Sequence, residues 1–279
     1  MIPRVRVLPD RGTLLVSTDL HGKRDSFERL RERFFDLRGR HGPSETHWAL
    51  LGDLVHGPSP EARARSPLYD YEDESPALID AVFELRERFP EHVHFVLGNH
   101  DHGHVGGPHT RKFHADEVLA LEARLTPEQR RRAEQLFGQA LLAIATPSGL
   151  LLTHGSPGEA LHSLADLDAL ALVDEPDPRK RELLRSILGD YGQRGEVTAR
   201  VLASVSRPGL ALHLVVHGHD RDESGLFVEG GNQICPVIFG ARRELERCLV
   251  LDLATRHRCA AELREGVEIV RVHESPAGW

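Results

Sequence analysis

Short apolar runs alternate with longer amphipathic stretches through the first half of the chain. Thr13 to Ser17 (TLLVS), Trp48 to Leu51 (WALL) and Val93 to Leu97 (VHFVL) have strand length, and each runs into polar residues and glycine. Between the first two, Phe27, Leu30, Phe34 and Leu37 recur at helical spacing across Asp25 to Gly39, with Gly39 as a stop. Ser75 and Pro76 read as the cap and first position of another helix, followed by Leu78, Ile79, Val82, Phe83 and Phe89. The order strand, helix, strand, helix, strand predicts right-handed crossovers and largely parallel strands in a layered α/β domain.

The middle of the chain is more helical. Asp116 to Leu125 is one segment; Thr126, Pro127 and Gln129 form a capping-box start for another that runs to about Phe137. Its Arg130, Arg131 and Arg132 are flanked by Glu128 and Glu134, the pattern of a solvated face. Ala140 to Ala145 and Leu150 to Thr153 flank the turn sequence TPSG and predict a hairpin. Further strands are expected at Ala211 to His217, Leu226 to Val228, Val237 to Phe239, Cys248 to Leu253 and Val267 to Val272, which implies two sheets packed between helices. Gly57 to Glu74, Asp101 to His114 and Asp174 to Pro178 read as loops, the last leading into a helix at Arg179. We expect one domain over 1–279 with lid-like insertions around 57–74, 101–114 and 156–181.

Composition narrows the function. The 43 acidic against 35 basic residues, net charge -8, argue against gripping long nucleic acid, so a phosphate ligand needs a local positive source. Three cysteines at wide spacing, Cys235, Cys248 and Cys259, offer neither a zinc ribbon nor a disulfide framework. The N-terminal stretch is broken by Arg, Pro and Asp, and no apolar run approaches ~18 residues, so a cytoplasmic protein that does not cross a membrane is expected. There are 18 histidines, and only three lysines among the 35 basic residues.

The polar clusters fall immediately after the strands, the edge at which α/β sheets bind ligands. They are Asp19-Leu20-His21-Gly22, Gly52-Asp53, Gly98-Asn99-His100-Asp101, Thr153-His154-Gly155 and His217-Gly218-His219-Asp220. Asp and His two apart can reach one ion while a strand lasts, and an Asn carbonyl adds a hard donor without adding negative charge. Any one cluster alone has a bland reading as a capped turn or a satisfied histidine.

Together, in the order D-x-H, G-D, G-N-H-D, H-G, G-H, they resemble the calcineurin-like metallophosphoesterase superfamily over about Leu14 to Leu253. The resemblance implies an α/β, four-layer αββα sandwich of two mixed β-sheets flanked by helices. It implies that Asp19, His21 and Asp53 hold one metal, and that Asp53 bridges to a second held by Asn99, His154 and His219, with His217 behind them. A shared carboxylate offsets the repulsion of cations about 3.5 to 4 Å apart. Two divalent or trivalent ions are expected, Mn or Fe first and then Zn, because the donors are oxygen and nitrogen without thiolate. The implied chemistry is in-line attack on phosphorus by a hydroxide that bridges the metals, with His100 as proton donor or transition-state stabiliser and Asp101 orienting it or a ligand.

Within the superfamily, Arg221 stands where nuclease and many phosphodiesterase branches have the last His of G-H-x-H, and Gly22 and the Thr153-His154-Gly155 motif are similar to the phosphoprotein phosphatase branch. Yet Gly52-Asp53-Leu54-Val55-His56-Gly57 lacks that branch's Asp that pairs with the catalytic His and its phosphate-gripping Arg, and Leu97 replaces another Arg. Candidate substrate contacts are Asn99, Arg194, Lys23 and Arg221. The expectation is a phosphomonoesterase similar to bacterial serine/threonine phosphatases, acting on a phosphoprotein or a small phosphoester. The alternatives are a phosphodiesterase or dinucleoside polyphosphate hydrolase, and a non-catalytic metal-binding scaffold.

Overall fold

A computed structural model describes residues 3–274. Eleven strands form two sheets: β1 (Val5–Val7), β2 (Thr13–Ser17), β3 (Thr46–Leu50), β4 (Val93–Phe95), β5 (Ala143–Ala145), β6 (Leu150–Leu152), β7 (Leu214–Val216), β8 (Leu226–Glu229), β9 (Gln233–Pro236), β10 (Arg247–Asp252) and β11 (Ile269–Arg271). One sheet has the order β11-β10-β2-β3-β4, the other β1-β5-β6-β7-β9-β8. β2, β3 and β4 are parallel, as their helical crossovers require, while β10 runs antiparallel to β2 and β11. β6, β7 and β9 are parallel in the second sheet, and both sheets are therefore mixed.

The period of two along each strand sorts side chains between layers. Leu14 and Val16 of β2 and Ala49 of β3 join Ile144, Leu150, Leu152, Leu214, Val216 and Ile234 in a core between the sheets. Leu15, Trp48 and Leu50, one residue out of phase, turn instead to the helices, with Phe27, Leu30 and Phe34. Phe27 stacks on Trp48 at 5.6 Å, so the helix Arg24–His41 closes the outer face of the first sheet. Truncating Phe27 to Ala costs about 3–5 kcal/mol at such a buried site. On the opposite side, Ala143, Ala145, Leu151 and Val215 face outward and share a core with buried residues of the helices Leu164–Asp168, Pro178–Gly189 and Gly195–Val205. The result is the expected αββα sandwich.

Most elements follow the sequence pattern within two or three residues, and Thr126 with Gln129 forms the predicted capping box. The β5–β6 hairpin is antiparallel. Val237 to Phe239 is the exception: the strand lies earlier, at Gln233–Pro236. Val237, Ile238 and Phe239 are buried, so they carry a strand's hydrophobicity without its pairing, and Pro236 has no N–H to extend the ladder. The sequence reading also left out the edge strand β1, which pairs with β5, and the short helix Pro60–Arg65 inside the 57–74 segment.

Candidate dimetal active site

The loops that follow β2, β3, β4, β6 and β7 meet at one edge of the two sheets. Backbone bonds join the first two: Asp19 N donates to Gly52 O at 3.2 Å, and His21 N to Asp53 O at 2.9 Å. The loop after β4 is pressed against them, since a Cβ on Gly98 would overlap the backbone nitrogen and a carboxylate oxygen of Asp53. Asp19, His21, Asp53, His56 and His219 all take positive φ, between 37° and 69°. Such conformations cost of order 1–3 kcal/mol each and persist where the surroundings over-determine them. Here they turn side chains inward from strand ends that would otherwise continue straight.

Asp53 is the hub. Its Oδ2 lies 3.5 Å from His21 Nε2 and 3.4 Å from His154 Nε2. Ligand atoms of His21, Asp53 and His100 converge within 4.8 Å, as do those of Asp53, His154 and His219. Asn99 Oδ1 is 3.2 Å from His154 Nε2, and the carboxylate of Asp19 accepts the backbone N–H of His219 at 3.0 Å. Asp53 thus belongs to two groups at once, the position a bridging carboxylate needs. The far nitrogens are fixed: His21 Nδ1 faces the carbonyl oxygens of Val55 and His56 at 3.1 Å, and His154 Nδ1 faces Leu51 O at 2.6 Å. Donation from Nδ1 leaves Nε2 of each ring as the nitrogen directed at Asp53.

The electrostatics also ask for cations. Burial, with Asp53 nearby, pushes the Asp19 carboxyl up to about 7. Burial alone would raise Asp53 too, but the His154 and His100 imidazoles hold it well below the usual carboxylate range. Burial works to lower His154, yet the two carboxylates raise it to about 10. Two buried carboxylates that draw a proton onto a buried imidazole mark a site where positive charge belongs, and carboxylate, amide and imidazole donors without sulfur suit first-row divalent or trivalent ions.

A family description, calcineurin-like phosphoesterase, matches residues 12–222. The chain belongs to this family. Solved structures agree on the fold. A protein serine/threonine phosphatase from Saccharomyces cerevisiae superposes with a TM-score of 0.61 at 17% identity, over 89% of this chain and 76% of that one. The cold-active protein-tyrosine phosphatase of a psychrophilic Shewanella gives 0.61 at 14%, over 91% and 78%. A hypothetical protein from Pyrococcus horikoshii gives 0.52 at 15%, over 95% and 89%. No curated protein matches significantly. The chain is a metal-dependent phosphoester hydrolase of a family that uses a dinuclear centre.

The pocket of this phosphoesterase, about 310 Å³, is lined by Asp19, His21, Asp53, Asn99, His100 and His219 together with Lys112, Arg111, Tyr191, Arg221 and Phe239. Of the candidate substrate contacts, Asn99 and Arg221 are brought to it. Arg221 lies beside the hydroxyl groups of Tyr191 and Tyr69. Lys23 is not brought there: it is buried in an ion pair with Glu246, its ammonium 5.0 Å over the Tyr71 ring. Arg194 immediately precedes the helix Gly195–Val205, without a side-chain capping bond, and does not line the pocket. Asp101 turns away from the pocket, its two oxygens accepting Leu54 N at 2.9 Å and Gly98 N at 3.1 Å, so it ties the β3 and β4 loops together. His217 is buried behind His219 with Nδ1 on Gly218 O at 2.9 Å.

The basic group the sequence reading missed is Lys112, whose Nζ sits 3.8 Å over the Phe239 ring. Burial, with Arg221 nearby, lowers its ammonium to about 8. The available signal was rarity: Lys112 is one of three lysines and follows the G-N-H-D cluster by a short loop. A larger cleft of about 770 Å³ shares Asn99 and His219 with the pocket and is walled by Leu172, Val173, Leu184 and Leu188, with Arg181 and Arg185 also lining it.

Proposed function

We propose that this phosphoesterase hydrolyses phosphomonoesters, with Asp19, His21, Asp53, Asn99, His154 and His219 holding two ions, Mn or Fe before Zn. When bound, the ions supply Lewis-acid activation of water and neutralise the phosphoryl oxygens. The observation that carries the monoester reading is the pair Lys112 and Arg221 in the small pocket. A terminal phosphoryl group brings about two negative charges at neutral pH against one for a diester, and two fixed cations beside the metal ligands match the former. Arg221 occupies the motif position at which diesterase branches place another histidine, which favours the same reading.

His100 lines the pocket and is held neutral by burial despite Asp53 and Glu117. Its Nδ1 is engaged with His56 and Thr110, so Nε2–H is the group that faces the leaving oxygen, as a hydrogen-bond donor that stabilises its developing charge. Asn99 and His219 form the seam between pocket and cleft, and the cleft takes the alcohol part of the substrate, a phosphoprotein segment or a small apolar phosphoester. Free cysteines, and described helices none of which is long and apolar enough to cross a membrane, support a cytoplasmic setting. Purified protein assayed with Mn on p-nitrophenyl phosphate and on bis-p-nitrophenyl phosphate tests the proposal. It predicts a monoester preference of at least about tenfold in kcat/KM; preference for the diester overturns it.

A further inference from the structure

On the Nδ1 side of His100, away from the Asp53 centre, lies a second constellation of donors. His56 comes from the loop after β3, His100 from the short helix Asn99–His102, and Glu117 opens the helix Glu117–Glu122, whose first backbone N–H is tied to Thr110 O at 3.1 Å. The Nδ1 atoms of His56 and His100 are 3.0 Å apart. Glu117 Oε2 lies 3.4 Å from Nδ1 of His100 and 4.0 Å from Nδ1 of His56. Thr110 Oγ1 is 3.2 Å from His100 Nδ1 and 3.3 Å from His56 Nδ1. Ligand atoms of His56, His100 and Glu117 thus converge, and all three residues are buried.

Hydrogen bonding alone leaves this arrangement poorly satisfied. Glu117 Oε1 accepts Phe113 N at 2.9 Å, but Oε2, without solvent exposure, accepts no hydrogen bond among the described residues. Its ionic contacts within 4.0 Å are the two imidazoles, and the Lys112 ammonium reaches it only through longer-range attraction. A buried carboxylate oxygen left in that state is destabilising unless a cation meets it. Around a tetrahedral ion with bonds of about 2.0–2.1 Å, ligand atoms stand about 3.3 Å apart. The separations here, 3.0 to 4.0 Å, bracket that edge. They also match the 3.4 and 3.5 Å between Asp53 and its imidazoles at the family's own centre.

We infer that His56, His100 and Glu117 bind a third metal ion, a first-row divalent cation such as Zn²⁺, with Thr110 Oγ1 at the fourth corner. Two neutral imidazoles and one carboxylate are the donor set of many zinc sites. The outer side of His56 is braced as ligating histidines are: its Nε2 is 2.9 Å from His104 Nε2, and His104 Nδ1 is 3.4 Å from Glu122 Oε1. An ion on Nδ1 fixes the hydrogen of His100 on Nε2, the donor tautomer. Only this last consequence rests on the proposed catalytic role of His100; the site itself does not.

The test is metal content and position, without reference to turnover. The protein is stripped with chelator, saturated with Zn²⁺, washed, and analysed for zinc per chain and for anomalous density at the zinc edge. Three ions per chain are expected, one of them among His56, His100 and Glu117. In Glu117→Gln, which keeps the side chain's size, that peak falls and its affinity drops at least about tenfold, while the ions at Asp53 persist. Wild-type density that is empty among these residues at saturating Zn²⁺ overturns the inference, whatever the variant does. Because each ion is located separately, absence of density at Asp53 counts against the dinuclear reading alone.

Discussion

His154 donates its Nδ1 hydrogen to the carbonyl oxygen of Leu51 at 2.6 Å, across the junction between the two sheets. The bond sets the tautomer that directs Nε2 at Asp53, and it places the ligand of one sheet against the last residues of β3 in the other. Replacing His154 by Ala removes one side of the bridge. We predict loss of about one bound ion per chain and a fall in kcat/KM of at least about 100-fold, checked by metal analysis beside p-nitrophenyl phosphate turnover. Full retention of both ions would contradict the assignment.

Asp101 acts on structure rather than on substrate. Its carboxylate holds Leu54 N and Gly98 N, and Asn at this position keeps a single acceptor for the two buried donors. Asp101→Asn is therefore expected to cost about 1–3 kcal/mol in urea unfolding. The pH–rate profile keeps its wild-type shape, whereas a new limb or a lost one points to a direct proton role.

Two lysines, Lys112 at the pocket and the buried Lys23, separate stability from binding. Lys112→Ala, and likewise Arg221→Ala, is predicted to weaken competitive inhibition by inorganic phosphate about 10-fold or more while leaving the melting temperature nearly unchanged. Lys23→Met does the reverse. It strands Glu246, which also takes Ser26 Oγ at 2.7 Å and His273 Nε2 at 3.0 Å, and costs about 3–5 kcal/mol with phosphate inhibition intact. Equal phosphate inhibition in Lys112→Ala and wild type would remove Lys112 from the clamp.

Away from the site, His47 Nδ1 meets His94 Nε2 at 3.2 Å, beside the His92 ring and under Arg6, Arg38 and Arg86. Burial, then the charge of His92, lowers His47 to about 4, and burial holds His94 well below 6.5. The unfolded chain protonates His47 near pH 6.5 while the folded one refuses that proton until about 4, so the stability present above pH 6.5 is lost as pH falls through that window. Urea unfolding at pH 7.5 and 5.0 checks it: the drop between the two is predicted to be smaller in His47→Gln. An identical drop in both proteins removes His47 as the source.

The proposed ligands were legible in the sequence because each lies within a few residues of a strand end, where period-two burial stops and the backbone turns toward the sheet edge. Asp19, His21, Asp53, Asn99, His154 and His219 share that property, and the strands were plain from runs such as TLLVS and VHFVL. Lys112 and Glu117 were not legible. They arrive from a loop and a six-residue helix whose path no periodicity dictates, so a carboxylate can stand beside His100 without occupying the motif position at which one was sought. Lys23 misled for the opposite reason: it follows His21 closely, but after Gly22 the chain turns into the helix Arg24–His41 and carries the ammonium to Glu246. VIF at 237–239 read as a strand because all three residues are apolar; Val237 and Ile238 are buried in the core, and Phe239 lies under Lys112.

The central claim, that Asp53 joins two metal sites into one phosphoester-hydrolysing centre, is tested most directly by add-back after chelation. Wild-type protein and Asp53→Asn are stripped of metal, and p-nitrophenyl phosphate turnover is followed as Mn²⁺ is titrated in. The account predicts no turnover without metal, recovery to a plateau in the wild type, and in Asp53→Asn a plateau lower by at least about 100-fold with both ions weakened. Turnover that survives chelation, or an Asp53→Asn variant that recovers alongside the wild type, would contradict it.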